Sequence, residues 1–77
     1  MFEVDYYEDE EGRRPAEEFI DGLEAKMRVK VFGRIELLEQ YGPQLGMPFS
    51  RHLDDGIFEL RTVQGNNITR ILYFFFV

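Results

Sequence analysis

The last 22 residues of the chain, from Gly56 to Val77, constrain its fold more than any other part. They contain two apolar runs separated by the turn signal Gly65-Asn66-Asn67. This arrangement is typical of a β-hairpin, because glycine and asparagine tolerate the backbone angles that tight hairpin turns need. Each predicted strand carries one arginine, Arg61 or Arg70, in an otherwise apolar pattern. The sequence therefore predicts a β-sheet that presents arginines.

The second predicted strand ends in an aromatic run, with Phe74, Phe75 and Phe76 directly before Val77. A strand with so much apolar surface needs neighbours on its faces and along its edge. We therefore expect a sheet that is incomplete at the C-terminus of this chain. We also expect the strand over residues 72–77 to be covered by a partner protein or by a second copy of the chain.

Length and composition indicate one small domain over residues 1–77 in a cytoplasmic protein. The chain has no cysteine, and no apolar run approaches the roughly 20 residues needed to span a membrane. Its acidic N-terminus lacks the basic start of a signal peptide. The net charge of −6 argues against strong nonspecific binding to nucleic acid, because phosphate neutralisation supplies that affinity. The charge is uneven, however: residues 1–24 carry ten acids and two arginines, whereas residues 25–77 carry seven bases and five acids.

Apolar periodicity predicts the elements before the hairpin. Residues 2–6 alternate strictly, which predicts a first strand with Phe2, Val4 and Tyr6 facing inward. Pro15 suits the first turn of a short helix of roughly ten residues. A longer helix is predicted over residues 25–40, ended by Gly42 and the proline after it, and a loop over residues 43–55.

The predicted order is a strand, two helices and then antiparallel strands. Helices that follow each other so closely are expected to form an antiparallel helical hairpin. The sequence therefore predicts an α+β fold in which the helical hairpin covers one face of a small sheet.

Arg61 and Arg70 are the strongest candidates for chemistry. A strand fixes a guanidinium group in position, which suits a phosphate contact. A cross-strand ion pair of Arg61 with Glu59 or a neighbour explains the same pattern equally well. The single histidine, His52, follows Arg51 in a predicted loop and lacks the spacing of a metal site, so we expect neither a metal nor a cofactor.

Several segments together resemble a known family. These are GRRPAEEFI (residues 12–20), RIELLEQYGP (34–43), LDDGIFELR (53–61) and TRILYFF (69–75). They resemble the RelE/ParE superfamily of toxins from type II toxin–antitoxin modules, and are most similar to its HigB-like, phage-related branch.

This resemblance implies a metal-independent endoribonuclease that cleaves mRNA on the ribosome and is held inactive by a cognate antitoxin. In that chemistry the ribose 2′-OH attacks the adjacent phosphate, while basic groups bind the phosphate and stabilise its developing charge. Arg61 is then the candidate phosphate-binding catalytic residue, and Arg70 supports it. Arg51 and His52 are the candidate RNA-binding residues.

Members of the superfamily usually continue with a further strand, a basic segment and a C-terminal helix, which carry several residues used in cleavage. We therefore expect this chain to be a truncated toxin, either still active or an inactive relative. Two alternatives stay open: a non-catalytic protein-interaction module and a homo-oligomer, both of which would use the aromatic strand over residues 72–77.

Overall fold

A computed structural model describes residues 1–76 and has an α+β fold. Its elements are α1 (Pro15–Asp21), α2 (Ala25–Tyr41), a 3-10 turn (Gly42–Gln44), β1 (Ser50–Asp54), β2 (Ile57–Gln64) and β3 (Asn67–Tyr73). The strands form one antiparallel sheet in the order β1-β2-β3, and α2 packs against β2. The predicted fold class, the two helices and the hairpin of β2 and β3 are confirmed. The predicted strand over residues 72–77 ends earlier, at Tyr73, and Val77 lies outside the described residues.

The predicted N-terminal strand is wrong, because residues 2–6 join no sheet. This segment instead packs on the helices: the N–H group of Phe2 donates a hydrogen bond to the Glu39 carbonyl at 2.7 Å, and the Phe2 ring lies against Gly42. Val4 and Tyr6 are half-buried, as the alternation requires. An extended segment lying on a helix buries every second side chain just as a strand does, so the pattern alone does not identify a sheet.

The predicted loop over residues 43–55 is also wrong in part, because it contains β1. Ser50 pairs with Leu60, and Arg51 pairs with Glu59. The link to β2 is the Asp55-Gly56 turn, in which both residues have positive φ angles of 48° and 78°. Such angles are typical of a type I′ turn, which joins two antiparallel strands tightly. β1 has no apolar alternation because it is an edge strand and most of its residues are exposed.

The short helix α1 depends on contacts from outside itself. Pro15 occupies its first turn, but no side chain caps its N-terminus, and its last turn contains no basic residue. Arg28 of α2 supplies the missing charge at the C-terminal end, where its Nη1 atom donates to the carbonyl groups of Asp21 at 3.2 Å and Leu23 at 3.3 Å. Cations are favourable at this end of a helix.

The core lies between the helices and the sheet. Ile20, Met27 and Val31 form its centre, and the half-buried side chains packed against them are those of Tyr6, Leu23, Ile35 and Ile71. The half-buried Ile71 of β3 is directly opposite Leu60 of β2, and Leu60 is buried. These two residues show which face of the sheet the helices cover, and strand alternation then assigns every other residue to a face.

Tyr6 makes the stability of this fold sensitive to high pH. Burial, followed by the carboxylates of Glu17, Asp21 and Glu39, raises the pKa of Tyr6 above its ordinary value of 10.0. The unfolded chain therefore loses this proton at a lower pH than the folded chain. The resulting stabilisation is complete below the unfolded-state pKa and is lost as the pH rises through the folded-state pKa.

We expect Tyr6→Phe to lose less stability than the wild-type chain between about pH 8 and about pH 11, because it has no proton to lose at this position. Urea denaturation at both values measures this. Tyr7→Phe is the matched control, because Tyr7 is the neighbouring residue and is 68% exposed. An equal loss of stability in the wild-type chain and in Tyr6→Phe would show that ionisation of Tyr6 does not contribute to the loss at high pH.

Candidate functional site

The candidate arginines lie on the face of the sheet opposite the helices, here called the outer face. Leu60 and Ile71 point towards the helices, so their neighbours Arg61 and Arg70 point away from them. The same alternation gives the outer-face residues, which are Arg51 from β1, Ile57, Glu59, Arg61 and Val63 from β2, and Ile68, Arg70 and Leu72 from β3, with Asp54 of β1 opposite Ile57 after a bulge.

Arg61 and Arg70 are direct cross-strand partners. Opposite residues of an antiparallel pair share one face, with Cβ atoms about 5 Å apart, so the two guanidinium groups belong to one site. The two-residue Gly65-Asn66 turn sets this register, since it makes Gln64 and Asn67 the first pair after it. Like charges placed opposite each other are unfavourable, so the pair needs a compensating charge.

Glu59 supplies the compensating charge. Its Oε1 atom lies 2.9 Å from Nε of Arg70 and 4.0 Å from Nε of Arg61. The Glu59 side chain is only 7% exposed, and a carboxylate removed from water in this way requires a compensating cation. The contact to Arg70 is close, but it lacks the direction of a hydrogen bond. The ion pair expected as the alternative role of this pattern is therefore present, and it joins Glu59 to both arginines.

The arginines are not sealed inside this cluster. The Arg61 side chain is 26% exposed and the Arg70 side chain 55% exposed. Both reach Glu59 through Nε, and among residues 1–76 no hydrogen bond engages their terminal Nη atoms. Those Nη groups remain available to a second oxyanion, and a guanidinium can bind such a group through two parallel N–H donors.

The structure separates the other two candidates, Arg51 and His52. Arg51 is the cross-strand partner of Glu59, so it is on the outer face and is exposed. His52 pairs with Phe58, whose ring centroid is 4.9 Å from that of His52, and it therefore lies on the helix-side face. The outer face thus combines three of the four predicted residues and leaves out His52.

Glu59 is the member of this site that the sequence did not identify as functional. The sequence shows that Glu59 is two residues before Arg61, and it contains the turn that sets the register of β2 and β3. Together these place one carboxylate beside two guanidinium groups. The burial of Glu59 does not follow from that spacing, because it requires β1 to pair beside β2 and make β2 the central strand.

Besides Arg28, two bases of α2 have roles in packing. Nζ of Lys30 donates a hydrogen bond to the Val63 carbonyl at 3.1 Å, which ties α2 to β2. The guanidinium of Arg34 lies over the Phe49 ring, 5.0 Å from its centroid. Within residues 1–76, no helix has the length and apolar character required to cross a membrane.

One comparison with known proteins gives a match. The family model described as phage derived protein Gp49-like (DUF891) matches residues 18–77. This range includes α2, all three strands and every outer-face residue. No curated protein and no solved structure is significantly similar to the chain.

Proposed function

The chain belongs to the Gp49-like family of phage-derived proteins, a RelE/HigB-type toxin-like family, and we propose that it is the toxin of a type II toxin–antitoxin module. We place it in the HigB-like branch and assign it the cleavage of mRNA on the ribosome. Its partners are then the ribosome-bound mRNA and a cognate antitoxin that holds it inactive.

The observation that carries this proposal is the cross-strand pair of Arg61 and Arg70 on an exposed sheet face. The reaction forms a bond between the ribose 2′-oxygen and the adjacent phosphorus and breaks the bond to the 5′-oxygen of the next nucleotide. The proton lost by the 2′-oxygen is balanced by the proton gained by the 5′-oxygen. Both arginines stay protonated, so they contribute charge and position rather than proton transfer. Their Nη groups donate to the phosphate oxygens, where negative charge develops.

The local charge of the outer face supports an RNA backbone as the ligand. Around the arginine pair this face carries Arg51, Arg61 and Arg70 against Glu59, although the whole chain has a net charge of −6. A second acid, Asp54, lies opposite Ile57 at the far end of β1. The chain therefore combines a weak general attraction to nucleic acid with one positive site of fixed geometry. Such a combination suits an enzyme that meets its RNA on the ribosome, where the substrate is already held in place.

The test is cleavage of a defined mRNA on programmed ribosomes by the purified chain. We expect a 2′,3′-cyclic phosphate at the new end, and no cleavage when the nucleotide on the 5′ side of the scissile bond is 2′-deoxy. An intact mRNA in the presence of the folded wild-type chain would overturn the proposal. Cleavage of the 2′-deoxy substrate would overturn the mechanism.

A second candidate function is assembly through the edge of the sheet. β3 is an edge strand, and the apolar side chains of Leu72, Phe74 and Phe76 on and after it are 63%, 58% and 92% exposed. Exposed apolar surface along a strand edge favours pairing with another chain. A homo-oligomer or an antitoxin segment would cover this surface, and both remain proposals.

We expect the isolated chain to self-associate at micromolar concentration, and Leu72→Lys to shift it towards the monomer. Sedimentation velocity measures both effects. Val29→Lys is the matched control, because Val29 is an apolar residue of α2 that is 70% exposed and distant in sequence from β3. A folded wild-type monomer at micromolar concentration would contradict this prediction.

A further inference from the structure

Glu59 occupies an unusual position for an acid in a site proposed to bind phosphate. Its carboxylate carries the same sign of charge as the ligand, and it is almost fully removed from water. An acid placed only for solubility would be exposed, and a core position without function would favour an apolar residue. We therefore expect the negative charge of Glu59 to have a function at this position.

The register defines what this charge can do. Arg61 and Arg70 are opposite each other, and Glu59 is on the same face, diagonal to Arg70 and two residues before Arg61. Its Oε1 atom contacts Nε of both guanidinium groups, at 2.9 Å and 4.0 Å. One carboxylate oxygen thus offsets the mutual repulsion of two cations that would otherwise turn away from each other.

The atoms used in these contacts are as informative as the distances. Both guanidinium groups approach Glu59 through Nε, and no hydrogen bond within residues 1–76 engages their Nη atoms. Glu59 Oε1 and Arg61 Nε are buried and make no hydrogen bond within that range, so these contacts are electrostatic. Electrostatic attraction through Nε favours one orientation of a guanidinium group and leaves its outer N–H donors for another acceptor. The Glu59 side chain is less exposed than those of Arg61 and Arg70, so a ligand can reach the arginines more readily than the acid.

We propose that Glu59 is a positioning residue that holds the guanidinium groups of Arg61 and Arg70 side by side, with their Nη donors directed at one phosphate. The effect of Glu59 on the cleavage rate rests on the proposed function, whereas its effect on the orientation of the two arginines does not. Glu59 is thus expected to lower general attraction to RNA and to raise the rate of the chemical step. A merely structural acid would not shift these two quantities in opposite directions.

The first test examines the free protein by nitrogen-15 NMR of the arginine Nε–H groups. In the wild-type chain we expect Arg61 and Arg70 to exchange their Nε protons with solvent slowly, because Arg61 Nε is buried 4.0 Å from the Glu59 carboxylate and Arg70 Nε lies 2.9 Å from it. In Glu59→Gln the charge is absent, and we expect at least about a tenfold faster exchange at both positions. Glu36→Gln, at an exposed position on α2, is the control with the same chemical change. Unchanged exchange in Glu59→Gln would overturn the proposal.

If Glu59→Gln does not fold, the Glu59→Asp variant tests the positioning role of Glu59. Aspartate keeps the charge but is one methylene shorter, so it should lose the longer contact, to Arg61, before the contact to Arg70. We expect faster exchange at Arg61 with less change at Arg70. Wild-type exchange at both positions in Glu59→Asp would overturn the proposal.

The second test separates this inference from the proposed function. With programmed ribosomes, we expect Glu59→Gln to lower kcat about tenfold or more while KM is unchanged or lower, because misplacing the arginines affects the reacting geometry. With a single-stranded RNA oligonucleotide, we expect the salt dependence of binding to become steeper by about 0.7, the value for one additional phosphate contact. Absence of cleavage by the wild-type chain would overturn the proposed function alone. A Glu59→Gln kcat equal to that of the wild-type chain would overturn the positioning role in catalysis.

Discussion

Replacing Arg61 with alanine is expected to reduce ribosome-dependent cleavage by at least about 100-fold, the usual effect of removing one donor that stabilises developing charge. Arg61 is the less exposed member of the arginine pair, so its guanidinium has the more restricted orientation. The variant should still fold, because Glu59 keeps its closer partner, Arg70, at 2.9 Å. Single-turnover cleavage of mRNA on programmed ribosomes measures the effect.

Two further variants make this result specific. Arg61→Lys keeps the positive charge but loses the planar pair of donors, so we expect it to retain RNA binding and to lose most of the cleavage rate. Arg13→Ala is the control, because the Arg13 side chain is 70% exposed and its contact to Glu11 is a loose 3.9 Å. Wild-type cleavage by Arg61→Ala would remove Arg61 from the mechanism, and an equal loss in Arg13→Ala would indicate a general effect of charge.

The arginine pair was predictable from the sequence because one local signal determines it. The Gly65-Asn66 turn fixes the register of β2 and β3, and the alternation of the strands then assigns Arg61 and Arg70 to one face. The buried state of Glu59 was not predictable in the same way. Glu59 lies on the central strand, and its direct cross-strand partners are Arg51 of β1 and Leu72 of β3. The sequence signal for β1 is limited to the Asp55-Gly56 turn.

The two errors in the predicted fold have a common physical cause. Period-two alternation reports which side chains are buried, and it does not report what buries them. Residues 2–6 have this pattern because Val4 is half-buried and Tyr6 packs against the core, although the segment forms no ladder. β1 lacks the pattern because it is an exposed edge strand, although four of its five residues pair with β2. A loop would let Arg51 and His52 act together, whereas a strand places adjacent residues on opposite faces.

Ile20→Ala is expected to be the most destabilising of the proposed substitutions, lowering the free energy of unfolding by about 2–5 kcal/mol. Ile20 is 1% exposed and belongs to the central cluster with Met27 and Val31. The seven-residue helix α1 is too short to be stable alone and has no side-chain cap at its N-terminus, so packing must hold it. A domain of this size has a total stability of only about 4–12 kcal/mol, so the loss would be a large part of it.

Urea denaturation of the variant and of its neighbour Phe19→Ala tests this explanation. Phe19 belongs to the same short helix but is 51% exposed, so we expect its removal to lower the free energy of unfolding by less than about 1 kcal/mol. Equal losses in the two variants would show that α1 is held by its intrinsic helix propensity rather than by the burial of Ile20. Since Ile20 lies on the helix side of the sheet, Ile20→Ala should keep the slow Nε exchange of Arg61 and Arg70 at temperatures where it remains folded. Loss of that protection in a folded Ile20→Ala chain would mean that the core and the outer face are coupled through the sheet.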